Sequence, residues 1–182
     1  MKVYVFLADG FEEIEGLTVV DLLRRAEIDT TMVSIQETPA IMGAHKIPVT
    51  ADLTIDHVMD DEPDMVVLPG GMPGTLNLKA DERVRSMVRK NFEEGRYIAA
   101  ICAAPSVFAD MDLLSGKTAT SYPAFEDCLV EAGANYIYDQ VAVDGKIITS
   151  RGMGTAIPFA GKLIEVLKDK ETADKILNSI VY

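Results

Sequence analysis

Apolar residues along this chain alternate between two arrangements: short unbroken runs, and longer stretches where they recur every three or four positions. Val3–Ala8, Met65–Leu68 and Tyr97–Ile101 are runs of the first kind, as expected of parallel strands buried on both faces. Thr30–Ile35 is rich in β-formers. Helical spacing appears between them. Glu13–Ala26 carries Ile14, Leu17, Val20 or Asp21, and Arg24 at such intervals. Asp81 is placed to cap a helix over Glu82–Glu94, which Gly95 ends. Ala103–Met111 reads as helix directly after the third run, and Ala124–Ala132 as a helix closed by Gly133. A long helix is predicted from Gly154 to Lys168, with Ile157, Ala160, Ile164 and Leu167 on one face, and a short one over Glu171–Ser179. Lys117–Thr120 and Tyr136–Tyr138 read as extended. Val141–Val143 and Ile147–Ser150 flank Asp144-Gly145, a strong hairpin signal. Such alternation predicts an α/β doubly wound sandwich with a mainly parallel central sheet and ligand sites at the C-terminal strand ends. With no repeats, biased tracts or linkers, residues 1–182 read as a single domain.

Composition narrows the function classes. Of 182 residues, 48% are hydrophobic and 25% charged, enough to bury a core without disulfides. A formal net charge of −12 repels phosphate backbones and anionic lipid, so neither nucleic acid nor a membrane surface is an expected partner. Val3–Ala8 is too short for a signal sequence or a membrane span, and Cys102 and Cys128 are the only cysteines. The expectation is a cytoplasmic protein. Two cysteines and two histidines in no ligand spacing predict no metal site. Gly152-Met153-Gly154 lacks a full phosphate-loop or dinucleotide fingerprint, and no cofactor is expected.

The chemistry concentrates in Ala99-Ala100-Ile101-Cys102-Ala103-Ala104-Pro105. A buried strand ends and a helix begins within two residues, with a cysteine between small neighbours. This is the shape of a nucleophile elbow, whose crowded turn admits only small flanks and lifts the nucleophile above the sheet. A sulfur at a helix start faces unpaired N–H groups that favour thiolate. Cys128, on a helical face with Phe125, Leu129 and Ala132, reads as core packing.

AAICAAP, VVLPGGMPG, ADGFEEIE and TSRGMGTA, in this spacing, resemble the ThiJ/PfpI family of the class I glutamine-amidotransferase-like superfamily, and its deglycase branch in particular. The resemblance runs from Lys2 to about Leu177. It implies a flavodoxin-like fold, a homodimer, and a reactive cysteine paired with a glutamate from the first strand–helix loop. The cysteine corresponds to Cys102 and the glutamate to Glu15. Glu12 and Glu13 are the competitors for that second role, and read otherwise as solvated first-turn acids. The family pattern makes Gly71 N–H and Ala103 N–H the oxyanion donors, beside Gly70; on its own, Gly70-Gly71 reads as a tight turn. Many members carry a histidine some twenty residues after the cysteine. Here Tyr122 holds that place, either as a hydrogen-bond donor or as a packing residue, while His45 and His57 both precede Cys102. Proteolysis needs an acid for the leaving amine, so peptidase or amidotransferase chemistry is disfavoured. His45 stands where relatives carry a basic residue near the site, and reads as an anion-binding group or a surface histidine; His57 reads as a solvated residue at a helix start. The expected substrate is a small 2-oxoaldehyde or its adduct, the alternative role being non-enzymatic redox sensing or chaperoning through an oxidisable Cys102.

Overall fold

The computed structural model describes residues 1–182. Its elements are β1 (Lys2–Leu7), α1 (Glu13–Arg25), β2 (Asp29–Ser34), β3 (Ala40–Met42), β4 (Pro48–Thr50), β5 (Leu53–Thr54), β6 (Met65–Leu68), α2 (Gly74–Ala80), α3 (Glu82–Glu93), β7 (Tyr97–Ile101), α4 (Pro105–Asp110), β8 (Thr118–Ala119), α5 (Glu126–Glu131), β9 (Asn135–Tyr136), β10 (Val141–Asp144), β11 (Ile147–Ser150), α6 (Ala156–Leu167) and α7 (Lys170–Ser179). Seven strands form one sheet in the order β10-β11-β7-β6-β1-β2-β5. Every neighbouring pair is parallel except β10–β11, the hairpin at one edge. The fold is the expected doubly wound, flavodoxin-like α/β sandwich.

Side chains that alternate along the strands divide the core into two layers. Val3, Val5 and Leu7 of β1, with Met65 and Val67 of β6 and Ala99 and Ile101 of β7, pack under α1, α6 and α7. Tyr4, Phe6, Val66, Leu68, Ile98 and Ala100 face the opposite layer, built from α2, α3, α4 and α5. Both faces of the central strands are covered, which is why they read as unbroken apolar runs.

The helix spacing assigned to α1 needs correction. Its buried stripe is Gly16, Val19, Val20 and Leu23, together with Glu15 and Leu22, whereas Ile14, Asp21 and Arg24 are exposed. Of the positions first assigned, Val20 is buried and Leu17 partly so, while the acids Glu13 and Glu15 of the first turn face inward. Helix α4 begins at Pro105 rather than Ala103, since Ala103 and Ala104 complete the tight turn after β7. Helix α2 and the β3–β4 hairpin were not foreseen. The Gly-Pro-rich Pro69–Gly74 stretch masks the start of α2, where glycine is needed because a Cβ at Gly74 would lie 2.5 Å from the Phe11 nitrogen. Strands of three residues, as in β3 and β4, are too short to leave a period. The hairpin brings the loop Gly43–Ile47 over the start of α1. No helix is long and apolar enough to cross a membrane.

Candidate active site

The site lies where β1, β6, β7 and β11 end. Past Ile101, Cys102 takes a φ of +65°, the left-handed region that costs a non-glycine residue of order 1–3 kcal/mol. Backbone bonds hold it there: the Cys102 N–H donates to the Ser150 carbonyl at 3.0 Å, and its own carbonyl accepts the Tyr122 N–H at 2.9 Å. The turn brings Sγ near the backbone N–H groups of Ala103 and Gly71, which favour its ionised form. The two predicted donors therefore meet at the sulfur.

Glu15 approaches from the first turn of α1 and is 1% exposed. Its Oε2 accepts the Gly70 N–H at 2.9 Å. Its Oε1 is buried without a hydrogen-bond partner, beside the Cys102 thiol. Gly70 is glycine for lack of space, since a Cβ there would fall 2.6 Å from both the Cys102 Cβ and the Glu15 Oε2. Gly71 is glycine for conformation as well: its φ is +90°, and a Cβ would come within 2.3 Å of the Glu12 nitrogen. Gly152, after β11, closes the far side, where a Cβ would stand 3.9 Å from both Sγ and Oε1.

Charge in this enclosure is costly. Burial pushes the Glu15 carboxyl up to about 7, against the Cys102 thiol and the Gly70 N–H that favour its ionised form. Burial and the neighbouring Glu15 charge push the Cys102 thiol up to about 12, against the N–H groups of Ala103 and Gly71. Two such close groups titrate as a coupled pair.

Tyr122 is half exposed, so it is a wall residue and not core packing. With Pro123, Arg151, Gly152 and Met153 it lines an open cleft of about 340 Å³, and Gly152 is the residue that also closes the far side of Cys102 and Glu15. One expectation about the acids is overturned. Glu13 is 4% exposed rather than solvated. The loop folds over its carboxylate, which accepts the His45 backbone N–H at 2.8 Å through Oε1. His45 is an exposed surface histidine, and its ring pairs with this acid: Nδ1 stands 2.9 Å from Glu13 Oε2 and 3.7 Å from Glu12 Oε2. The Glu13 contact raises the imidazole pKa and lowers that of the carboxyl. The 32-residue separation hides this contact from any local pattern. His57 is exposed at the end, not the start, of a short turn, with Nδ1 2.7 Å from Thr54 Oγ1. Cys128 is half-buried against the α2–α5 layer of the core, and burial raises its thiol pKa.

A parallel α/β sandwich with a cysteine on a strained strand-to-helix turn, facing backbone donors and a buried carboxyl, defines a class of elbow-cysteine proteins. Within that class, the chain belongs to the DJ-1/PfpI family, which it matches over residues 1–166. It is 39% identical over 175 residues to protein DJ-1 homolog A of Arabidopsis thaliana, covering 96% of this chain and 45% of that protein. The chain thus spans less than half the length of that plant relative. It is 32% identical over 168 residues to a deglycase of Pyrococcus horikoshii, covering 92% of this chain and all of that protein. The solved structure of oxidized Toxoplasma gondii DJ-1 superposes with a TM-score of 0.95 at 37% identity, covering 100% of this chain and 98% of the other.

Proposed function

We propose that this protein is a cofactor-independent enzyme acting on reactive 2-oxoaldehydes or their adducts, with Cys102 as nucleophile and Glu15 as acid and base. One observation carries the reading: the strained Cys102 turn aims its sulfur at two N–H donors and a buried, proton-holding carboxyl. With the proton on Glu15, the carboxylate charge that adds to burial in raising the thiol pKa disappears, and the N–H groups of Ala103 and Gly71 favour the thiolate. That thiolate adds to the aldehyde carbon of methylglyoxal, and Glu15 protonates the resulting alkoxide to give a hemithioacetal. The Glu15 carboxylate removes the proton from that carbon and returns it to the neighbouring one. The product is a lactoyl thioester, which water hydrolyses to lactate and free thiol. Methylglyoxal plus water gives lactate, with no redox partner. The Ala103 and Gly71 donors are near the place where negative charge develops on oxygen, the arrangement that lowers such barriers most. Tyr122 would donate to a substrate oxygen from the cleft wall. The deglycase relative supports the substrate class.

The test is lactate formation from methylglyoxal by the purified protein. Wild type is expected to turn over, while Cys102→Ser and Glu15→Gln lose at least 100-fold in kcat/KM. Equal rates in wild type and Cys102→Ser overturn the reading. A second reading, redox sensing at Cys102, draws on the same N–H donors, which suit a sulfinate as well as an alkoxide, and on the relative solved in an oxidized form. A homodimer is proposed as well: Ile14, Ile47 and Met153, each about half exposed, share a shallow apolar pocket of about 250 Å³ that a second copy would cover. Both cysteines are free thiols, in keeping with a reducing, cytoplasmic setting.

A further inference from the structure

The end of β11 and the turn after it carry two hydroxyl groups that the mechanism above leaves unused, those of Ser150 and Thr155. Resting on Cys102 as the nucleophile, we propose that Thr155 is a positioning residue for it. Its hydroxyl ties Ser150 to Gly152 and so fixes the two backbone positions that flank the thiol.

Each proton in this arrangement has one place to go. A hydroxyl donates a single proton and accepts through its lone pairs. Ser150 Oγ lies 2.7 Å from the Gln140 carbonyl, which can only accept, so the Ser150 proton goes there. Ser150 Oγ therefore accepts across its 2.7 Å contact with Thr155 Oγ1, which makes Thr155 the donor. The Gly152 carbonyl, 2.9 Å from Thr155 Oγ1, already accepts the Thr155 N–H at 2.8 Å and does not need that proton. Thr155 Oγ1 in turn accepts the Gly152 N–H at 3.0 Å. The bonds thus run in one direction, from the Gly152 N–H through Thr155 and Ser150 to the Gln140 carbonyl.

Both residues that Thr155 joins touch the reacting groups. The Ser150 carbonyl accepts the Cys102 N–H at 3.0 Å and so helps to hold the strained turn. Gly152 is the wall on the far side, where a Cβ would stand 3.9 Å from both Cys102 Sγ and Glu15 Oε1. Ser150 is fully buried, so protein groups satisfy its hydroxyl. Thr155 itself stands directly before α6, which packs with α1 in one core layer. The helix that carries Glu15 and the turn that carries Cys102 are thereby referred to one hydroxyl. Without it, the Gly152 N–H and the Ser150 Oγ each lose a partner, and the turn is free to carry Sγ away from the N–H groups of Ala103 and Gly71.

Two substitutions separate the hydroxyl from the shape: Thr155→Val deletes it at nearly constant volume, and Thr155→Ser keeps it. Methylglyoxal turnover, iodoacetamide alkylation of Cys102 read by peptide mass, and urea unfolding are measured on wild type and both variants. Thr155→Val is expected to lose about 10-fold in kcat with little change in KM, the pattern of a misplaced reacting group. Its Cys102 should alkylate more slowly by a similar factor, because the thiolate loses its N–H donors. Thr155→Ser should return both rates to within about 2-fold of wild type. If Thr155→Val does not fold, Ser150→Ala interrupts the same bonds and should show the same split. Wild-type kcat and alkylation in a folded Thr155→Val, with only a lower unfolding midpoint, overturn the proposal. Equal losses in Thr155→Val and Thr155→Ser do so too, since the hydroxyl would then be irrelevant. Alkylation needs no aldehyde. A wild type that leaves methylglyoxal unchanged therefore refutes the proposed function, while the alkylation rates still decide the role of Thr155.

Discussion

Cys102 and Glu15 are 87 residues apart in the chain, yet burial together raises both of their pKa values. The proposed form is a thiolate beside a protonated Glu15, and three proteins separate it from the reverse. Glu15→Gln still offers an N–H donor, so under this form the Cys102 pKa is expected to stay close to its wild-type value. Glu15→Leu removes the donor, and the pKa should rise. An ionised Glu15 would produce the opposite sign: deleting its charge lowers the thiol pKa in both variants. Thiolate absorbance in the ultraviolet across a pH titration reads the difference. Gly70→Ala probes the same pair sterically. Its methyl would press on the Cys102 Cβ and Glu15 Oε2, each 2.6 Å away. A loss of stability of about 1–3 kcal/mol is expected from this overpacking, with a larger proportional loss of thiol reactivity. Denaturant unfolding and alkylation rates measure the two effects.

At the level of elements, local signals decide how well a boundary reads. Asp81 was legible as a cap because the signal sits within three residues: its side chain accepts the Arg83 N–H at 2.9 Å and the Val84 N–H at 3.4 Å. Asp81→Ala is expected to lower stability by about 1 kcal/mol or somewhat more, since the Arg83 guanidinium also loses a carboxylate partner. A fall in melting temperature of about 2–4 °C in a thermal scan corresponds to that loss. Strands β6 and β7 were legible to the residue, being apolar on both faces. The hairpin was legible in position but shifted by one: Asp144 pairs with Ile147, so Gly145 and Lys146 form its turn. The Asp144 carboxylate instead accepts the Thr118 N–H at 2.8 Å, a tertiary contact that no hairpin rule anticipates. Helix α1 misled because its first turn carries acids on the inner face, which reverses the usual polar-out pattern exactly where chemistry is proposed.

The molecule as a whole couples this site to stability. The Glu15 carboxyl is raised from 4.5 to about 7, so the folded protein holds a proton there that the unfolded chain has lost. A raised pKa stabilises fully below the unfolded value, and that contribution disappears as pH rises through the folded value. Relative to Glu15→Gln, wild type is therefore expected to lose about 3 kcal/mol between pH 4.5 and 7, and to change little relative to it just above that window. Urea unfolding of both proteins at intervals across the range checks it; a flat difference contradicts a buried carboxyl. Assembly is tested by Ile14→Glu, which should turn the proposed dimer into monomer in sedimentation without loss of helix content by circular dichroism.

The chain's own pattern determined the layered α/β architecture, the order of its main strands and the cysteine on its sharp turn. Each of these depends on residues close in sequence: apolar runs, caps, and small neighbours around one nucleophile. The resemblance singled out Glu15 over Glu12 and Glu13, but tertiary structure alone decided that its carboxyl is buried beside the thiol. It also turned Glu13 inward, joined His45 to it across 32 residues, and made Tyr122 a wall of the cleft. Those outcomes follow from where separate strand ends converge, and burial and charge at that meeting point are properties of the folded chain rather than of any segment within it.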